Sequence, residues 1–589
     1  MQEGERGQRR RTVLQTIGGA AGGGLATALA DRTLARPVSA TSESADVTVT
    51  GGDPDRVFPQ GIASGGPTQS GVLLWTRVAP DVCTDDEPLC VQVASDPDFR
   101  DVVAGATVPP ERLTDAHDHT VTVDFDGELD SHSRYHYRFV YDGTASETGK
   151  CRTLPGADDD VESVRFAVVS CQDYRLGYYG AYRHVAEADV DFLLHLGDLI
   201  YEYGGEEELA DRAVELPSRW GSLFDVAWNL EDYRHLYRTY YGDEYFQRAL
   251  AEHTLIACWD DHEIANNRWW DYEAGGPMAE HPLGSNPEYM RSLTADGIQA
   301  WTEYVPARVE YDPDADSLHE QFRLARTLSF GDLVDLVITD ERLFRTEQNR
   351  YGQPDPSRPQ TMLGVAELGE TDYDQREWFL SQITDSEATW TAWANEVLFA
   401  SLGAEVPALE QLNYDGWGGY DAERRLIARR VRDADLRNFV TLGGDIHATS
   451  VGYVQTSYGD PDEDDGGANE RAIEQIDERD DGAPAPDPDR AVGVEFVTTA
   501  VSSETAAQEF DVERFTDADR PLGRAIECVN DHLAYFNATD CGYAVAEFTP
   551  EACTYRTYAV DKYADPATVG ARELAAYRTP NGEVSLEEL

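Results

Sequence analysis

The chain has 589 residues, with 48 basic against 111 acidic side chains and a formal net charge of −63. No basic stripe is available to neutralise phosphates, which excludes nucleic acid as a partner. A disordered acidic polymer is excluded too, because 41% hydrophobic and 10% aromatic residues suffice to build a core.

The acidity has a physical consequence. Only two lysines occur, Lys150 and Lys562, and nearly all other basic residues are Arg. Such a surface repels itself in dilute salt, and a few molar salt shortens the screening length to below about 3 Å. A halophilic protein is therefore expected.

At the N-terminus, Arg9-Arg10-Arg11 precedes Thr12-Val13-Leu14, and a Gly/Ala-rich, weakly apolar stretch runs from Ile17 to Ala30. Paired arginines, an apolar stretch and small residues in that order predict a twin-arginine signal peptide over residues 1–36, handled by the Tat translocase. The stretch is too short and too rich in glycine to span a membrane stably. No Cys lies near the expected cleavage region, so a secreted, extracellular product without a stable membrane anchor is expected. Residues 37–52 are expected as a linker, since Val38 to Asp46 is rich in Ser, Thr and Ala.

From 53 to 155 the pattern is short alternating segments: Val72-Leu73-Leu74-Trp75, Val91-Gln92-Val93, Val121-Thr122-Val123-Asp124-Phe125 and Tyr135-His136-Tyr137-Arg138-Phe139. Turn residues separate them and no helix-length pattern intervenes. This predicts a small fibronectin-like β-sandwich. The acidic stretch Gly156 to Glu162 joins it to an α/β region.

Over residues 160–565 five apolar runs each break off onto acidic, thiol or imidazole residues. The run from Val164 ends at Cys171, that from Asp191 at Asp198, and that from Thr254 at Asp260-Asp261-His262-Glu263. The run from Asp335 ends at Asp340, followed by Arg342, and that from Asn438 ends at Asp445, with His447 two residues on. Short Val/Ile-rich runs separated by helix-length segments read as buried strands of an α/β sheet. Ligands sit beyond the carboxyl ends of such strands. A thiolate, carboxylates and imidazoles gathered on one rim make a metal site, because a multivalent cation stabilises that much negative charge in one place. Within this region, residues 460–489 form a Gly/Pro/Asp/Glu-rich insertion, expected to be solvated. Residues 566–589 are expected as a C-terminal tail.

Of the eight cysteines, Cys83 and Cys90 flank a polar loop they could close, and Cys528, Cys541 and Cys553 could supply another bridge. Cys258, inside an apolar strand, is the expected free thiol. His195 lies within an apolar strand and is expected in or behind the core, while His235, His281 and His319 are expected at the surface. Tyr174, Tyr178 and Tyr179 suit either the entrance or packing.

The motifs Ser170-Cys171-Gln172, His195-Leu196-Gly197-Asp198-Leu199-Ile200-Tyr201-Glu202, Trp259-Asp260-Asp261-His262-Glu263-Ile264, Asp340-Glu341-Arg342 and Gly443-Gly444-Asp445-Ile446-His447-Ala448 together resemble the PhoD-type alkaline phosphatases. These are members of the calcineurin-like and purple-acid-phosphatase-like metallophosphatases. Gly61-Ile62-Ala63-Ser64-Gly65 and Leu74-Trp75-Thr76-Arg77 resemble that family's N-terminal β domain. The resemblance implies an α/β fold, a metallophosphatase α/β/β/α sandwich, behind the N-terminal β-sandwich. It also implies Fe3+ and Ca2+ as cofactors. By motif position, Cys171 and Tyr201 would be thiolate and phenolate iron ligands and Asp198 the carboxylate shared between metals. Asp261, Asp445 and His447 would complete the metal set. His262 would be the catalytic acid, and Asn266 with Arg342 or Arg345 would contact phosphate.

The chemistry is consistent with the residue types themselves. Thiolate and phenolate suit iron, and carboxylates suit calcium. A multinuclear centre offsets charge on the phosphoryl oxygens during an in-line displacement. Three functions compete: a secreted alkaline phosphomonoesterase, a phosphodiesterase of the same fold, and a non-enzymatic cell-surface binding protein with structural metals. The acid expected at His262 argues against the last, since a structural metal needs no proton donor beside it. Small phosphate esters are the expected substrates.

Overall fold

The computed structural model describes residues 37–40, 47–348, 360–368, 371–402, 414–458, 485–487, 489–509 and 521–589. The expected signal peptide and nearly all of the 460–489 insertion lie outside the described residues. All five apolar runs form strands: Val164–Val169, Phe192–Leu196, Thr254–Cys258, Val334–Ile338 and Phe439–Gly443. Their side chains are almost wholly buried, as a sheet covered on both faces requires.

The strands divide between two sheets. Val164–Val169, Phe192–Leu196 and Thr254–Cys258 pair in parallel in an 11-stranded sheet. Val334–Ile338, Trp390–Ala394, Phe439–Gly443 and Ala491–Val497 pair in parallel in a seven-stranded sheet. The inner faces meet through aromatic rings. Phe330, on the seven-stranded sheet, packs edge-on against Phe166 and Phe192 of the other at 5.3 and 5.2 Å. Phe496 stacks on Tyr555 across the same gap at 4.6 Å. Helices cover the outer faces. Gly180–Glu187, Glu244–Glu252 and Pro287–Tyr304 lie on the first sheet, and Gln375–Asp385 and Asp421–Asp433 on the second. Side-chain caps fix several helix starts: Asp243 accepts from the Tyr245 and Phe246 amides, and Asn286 from the Tyr289 amide ahead of Pro287. The result is the α/β/β/α sandwich.

At the carboxyl ends the two sheets join. Ser170 and Ala500 form an isolated parallel bridge, and the Val501 amide donates to Ser170 O at 2.9 Å. The Cys171 and Asp198 loops are zipped to one another by Cys171 N to Gly197 O at 3.2 Å and Gln172 N to Asp198 O at 3.1 Å.

The N-terminal strands do form a sandwich around a core that includes Leu74, Val91, Val93, Val123 and Phe139. Leu89–Ala94, Val102–Val108 and Arg134–Tyr141 make one sheet. The other, Ile62–Gly65, Leu73–Arg77 and Thr120–Asp124, continues into the sheet that holds Thr254–Cys258 through Gly65 opposite Leu255. The two regions therefore share backbone hydrogen bonds.

Several sequence expectations need correction. Val38–Ser39, in the stretch expected as linker, pairs in parallel with Val123 and Asp124. Ala571–Pro580, in the expected tail, forms a strand paired with Ala552–Val560 over its whole length, and its Ala576, Tyr577 and Thr579 are buried. Its own sequence gives no sign of the two strands it pairs with, Ala552–Val560 and Glu587–Glu588. All eight cysteines are free thiols, so neither expected bridge forms. His319 is fully buried between the Trp270 and Phe344 rings, with Nε2 on Leu343 O. His195 is buried as expected, and Tyr179 packs in the core with its hydroxyl on Gln172 O.

One glycine is required by the fold. Gly197 has φ +100°, and a Cβ there would lie 2.5 Å from Asp260 Cβ and 2.7 Å from the Asp260 amide. Gly197→Ala is expected to destabilise the fold by about 2–4 kcal/mol, since backbone rather than a flexible side chain must move. A shift of the denaturant midpoint in molar salt would show it, and an unchanged midpoint would refute it.

Candidate metal centre and phosphate site

Four side chains converge from strands far apart in the chain. Cys171, Asp198 and His447 offer ligand atoms all within 4.8 Å of one another. The Tyr201 hydroxyl donates to Asp198 Oδ2 at 2.9 Å and lies 3.0 Å from His447 Nε2. Beside this set, Asp260, Asp261 and Asp445 make a second, all-carboxylate group, and Asp198, Asp261 and His262 a third that links the two. All the predicted metal residues therefore sit together.

The backbone at this rim is unusual. Cys171, Asp198, Asp445 and His447 all have positive φ, between 50° and 67°. Left-handed non-glycine residues carry strain and cluster at functional sites. Here the turn aims each side chain back across the strand end. Glu263 fixes the turns. Its carboxylate accepts from the Asp198, Leu199 and Asp260 amides at 3.1, 2.8 and 2.7 Å.

Electrostatics fit a cation. Burial, together with Asp260, Asp261 and Glu263 and against the pull of His262, pushes Asp198 well above the usual carboxylate range. Burial pushes Asp445 up as well, with Asp260, Asp415 and Asp261 adding to it and Arg342 opposing. Asp260 Oδ2 is buried without a hydrogen-bond partner among the described residues. Burial also pushes His447 down to about 3, keeping its imidazole neutral and able to ligate. The donor set suits metal: thiol, phenol, imidazole and carboxylate on one side, carboxylates alone on the other.

His262 stands at the mouth. Its Nδ1 lies 2.7 Å from Glu202 Oε2, and its ring stacks on Tyr201 with centroids 4.1 Å apart. Burial opposes its charge, yet Glu202, Asp198 and Asp261 outweigh this and hold it well above the ordinary imidazole value. Glu202 is itself fully buried, and its other oxygen accepts from the Asn266 amide. With Nδ1 engaged, Nε2 is left to face the cleft. That cleft, of about 380 Å³, is lined by Asp198, Tyr201, Asp261, Asp445 and His447 and by Asp173, Arg175, Tyr203, Asn266, Asn267 and Glu504, among others. The Asn266 carboxamide donates to Glu280 at 3.0 Å.

Arg342 is brought to the site but is not among the residues that line the cleft. Its guanidinium is 0% exposed, and it binds Asp260, Asp415 at 2.6 Å and Asp445 at 2.6 Å. Each of its three guanidinium nitrogens is engaged by one of these carboxylates. Arg345, the alternative, is likewise buried on Asp415 and Arg268 O. Arginine in this position was legible; its direction was not.

Sequence reasoning also left Glu202, Glu263, Asp415, Ser503 and Lys562 without roles. Ser503 donates its hydroxyl to Cys171 O at 2.9 Å, and buried Lys562 donates to Ser503 O at 2.8 Å. The one available signal for Lys562 was its rarity, since it is one of two lysines.

The sequence profile of the PhoD-like phosphatases matches residues 166–557, and that of their N-terminal domain matches residues 43–155. The chain belongs to the PhoD-like phosphatase family. It is 31% identical over 489 residues to alkaline phosphatase D of Bacillus subtilis (strain 168), covering 82% of this chain and 75% of that protein. It also superposes on a solved structure of PhoD with a TM-score of 0.70 at 26% identity, over 91% of this chain and 93% of the other. This PhoD-like protein is thus a phosphoric ester hydrolase of the metallophosphatase class, acting on phosphate esters. Among its described residues no helix is long and apolar enough to cross a membrane.

Proposed function

We propose that the chain is an exported alkaline phosphatase whose Cys171, Tyr201, Asp198 and His447 hold Fe3+ and whose Asp260, Asp261 and Asp445 hold Ca2+. The observation that carries this is the segregation of donors. The thiol, phenol and imidazole lie on one side of Asp198, and an all-oxygen group lies on the other. Asp260 joins the oxygen group because it completes that cluster. The metals supply Lewis-acid stabilisation of charge on the transferring phosphoryl group and a nucleophile at moderate pH.

The protein's own residues do the rest. Nε2 of His262 faces the cleft and delivers a proton to the leaving oxygen, while Glu202 holds the imidazole in that orientation and stabilises its charge. Asn266 and Asn267 supply neutral donors at the mouth. Arg342 keeps three carboxylates at fixed spacing before any ion arrives.

A second reading is favoured by one feature. Arg175, the guanidinium on the described cleft wall, is bound by Asp173 at 2.7 Å and by Gly204 O at 2.8 Å. It cannot turn to meet the extra negative charge of a monoester without breaking those bonds. This supports phosphodiester hydrolysis at the same centre. Turnover of an aryl phosphate monoester against the matching diester, in molar salt and in dilute buffer, tests both readings. Hydrolysis of neither would refute the function, and full activity in dilute buffer would refute the halophilic reading.

Export rests on Arg9-Arg10-Arg11 and the Gly/Ala-rich stretch after them. Replacing Arg10 and Arg11 with Lys is expected to leave the precursor inside the cell, because the translocase reads paired guanidinium groups. Undiminished enzyme in the medium would show the signal to be misread.

A further inference from the structure

The two lysines of this chain are placed very differently. Lys150 pairs with Glu252 and keeps its side chain half exposed. Lys562, which follows the strand Ala552–Val560, is 4% exposed and forms no ion pair among the described residues. Burying an ammonium without a carboxylate beside it costs free energy. Stability alone therefore does not account for a lysine at this position.

The fold makes room for this side chain. A Cβ on Gly177 would lie 2.8 Å from Lys562 Cβ and 2.9 Å from its Cδ, so only bare backbone there admits the lysine stem. The neighbouring Tyr178 amide donates to Lys562 O at 2.7 Å. Led inward in this way, the ammonium ends on Ser503 O at 2.8 Å. The Cys541 thiol, a weak donor, reaches the same carbonyl at 3.4 Å. A charged donor makes the stronger bond of the two.

Ser502 and Ser503 are what grip the turn of the thiol. The Ser503 hydroxyl donates to Cys171 O at 2.9 Å, and the Ser502 and Ser503 amides donate to the same oxygen at 3.4 and 3.3 Å. The Asp173 amide donates to Ser503 Oγ at 3.0 Å, and the Ser502 hydroxyl to Asp173 O at 2.9 Å. Cys171 itself has φ +56°. A left-handed residue with a side chain persists only where its surroundings hold it.

We propose that Lys562 is a positioning residue for the metal centre. By holding the Ser503 carbonyl it fixes the Ser502-Ser503 segment, and that segment locks Cys171 in the turn that brings its thiol to Asp198 and His447. Lys562 is not among the residues that line the catalytic cleft, so it acts through the thiol and not on the substrate. Partners one step behind a metal ligand orient it, and losing one typically costs about 10–100-fold in metal affinity or activity. The inference rests on the reading of Cys171 as an iron ligand.

The test uses the full chain in molar NaCl, loaded with ferric iron and calcium, beside a Cys171→Ala control. Lys562→Met keeps the stem and removes the ammonium. It is expected to bind ferric iron roughly tenfold more weakly in competition with a chelator, and to shift the visible charge-transfer band. Lys562→Arg should recover most of both, because it keeps a cationic donor and the cavity of about 700 Å³ that Lys562 also lines has space for the larger head. Ser503→Ala should shift the band in the same way, and the double variant Lys562→Met/Ser503→Ala should add little to either single change, since both act through one segment. Parental affinity and band in Lys562→Met, with iron lost in Cys171→Ala, would overturn the proposal and leave the ligand reading standing. Iron and band retained in Cys171→Ala would refute the ligand reading and the proposal with it. Failure of Lys562→Met to fold without iron, seen by circular dichroism, or a Lys562→Arg variant no better than Lys562→Met, would make Lys562 a packing residue and overturn the proposal.

Discussion

Cys171→Ala is expected to release bound metal and lower phosphatase turnover by roughly 100-fold or more, because one anionic donor to a multivalent cation is lost. The thiol ends the Val164–Val169 strand, is 1% exposed, and shares its cluster with Asp198 and His447. Burial, with Asp198 adding to it, holds the unliganded thiol well above its ordinary value, so its ionisation requires a cation. A ferric ion held by thiolate and phenolate gives a visible charge-transfer band. That band should weaken or shift in Cys171→Ala and again in Tyr201→Phe, which keeps the ring but removes the hydroxyl that touches Asp198 and His447. Metal analysis and the visible spectrum decide the matter. Full metal content, colour and activity in Cys171→Ala would reduce Cys171 to a packed thiol.

His262→Ala is expected to behave differently. Metal content should hold while turnover of an ester with a poor leaving group falls by about 10²–10⁴-fold. An activated aryl ester, whose leaving oxygen needs no proton, should suffer far less. Glu202→Gln keeps a hydrogen bond to Nδ1 but removes the charge, and should fall between the two. His262 lies within reach of Asp198 and Asp261 as a potential ligand. Loss of metal in His262→Ala would therefore make it a ligand and refute its role as acid.

The sequence determined the strands and the donors. Five Val/Ile-rich runs too short for buried helices had to be strands, and donor-rich residues at the end of each had to gather at one rim, because parallel strands end on the same side. That placed Cys171, Asp198, Asp261, His262, Asp445 and His447 together without coordinates, and the family resemblance added Tyr201. Tertiary structure alone decided how the rim is organised. The Tyr201–His447 contact spans 246 residues and the Arg342–Asp445 pair 103, and no local period encodes either. Arg342 came after a strand end just as a phosphate contact would, but three carboxylates from elsewhere in the chain hold it buried. Glu263 and Asp415 are two acids among 111 until the backbone amides and guanidinium that they serve are in place. The strand Ala571–Pro580 passed for a tail because the partners it pairs with, Ala552–Val560 and Glu587–Glu588, are not written in its own sequence. Residue type and period fix what a segment is; direction and pairing come from neighbours supplied by the rest of the chain.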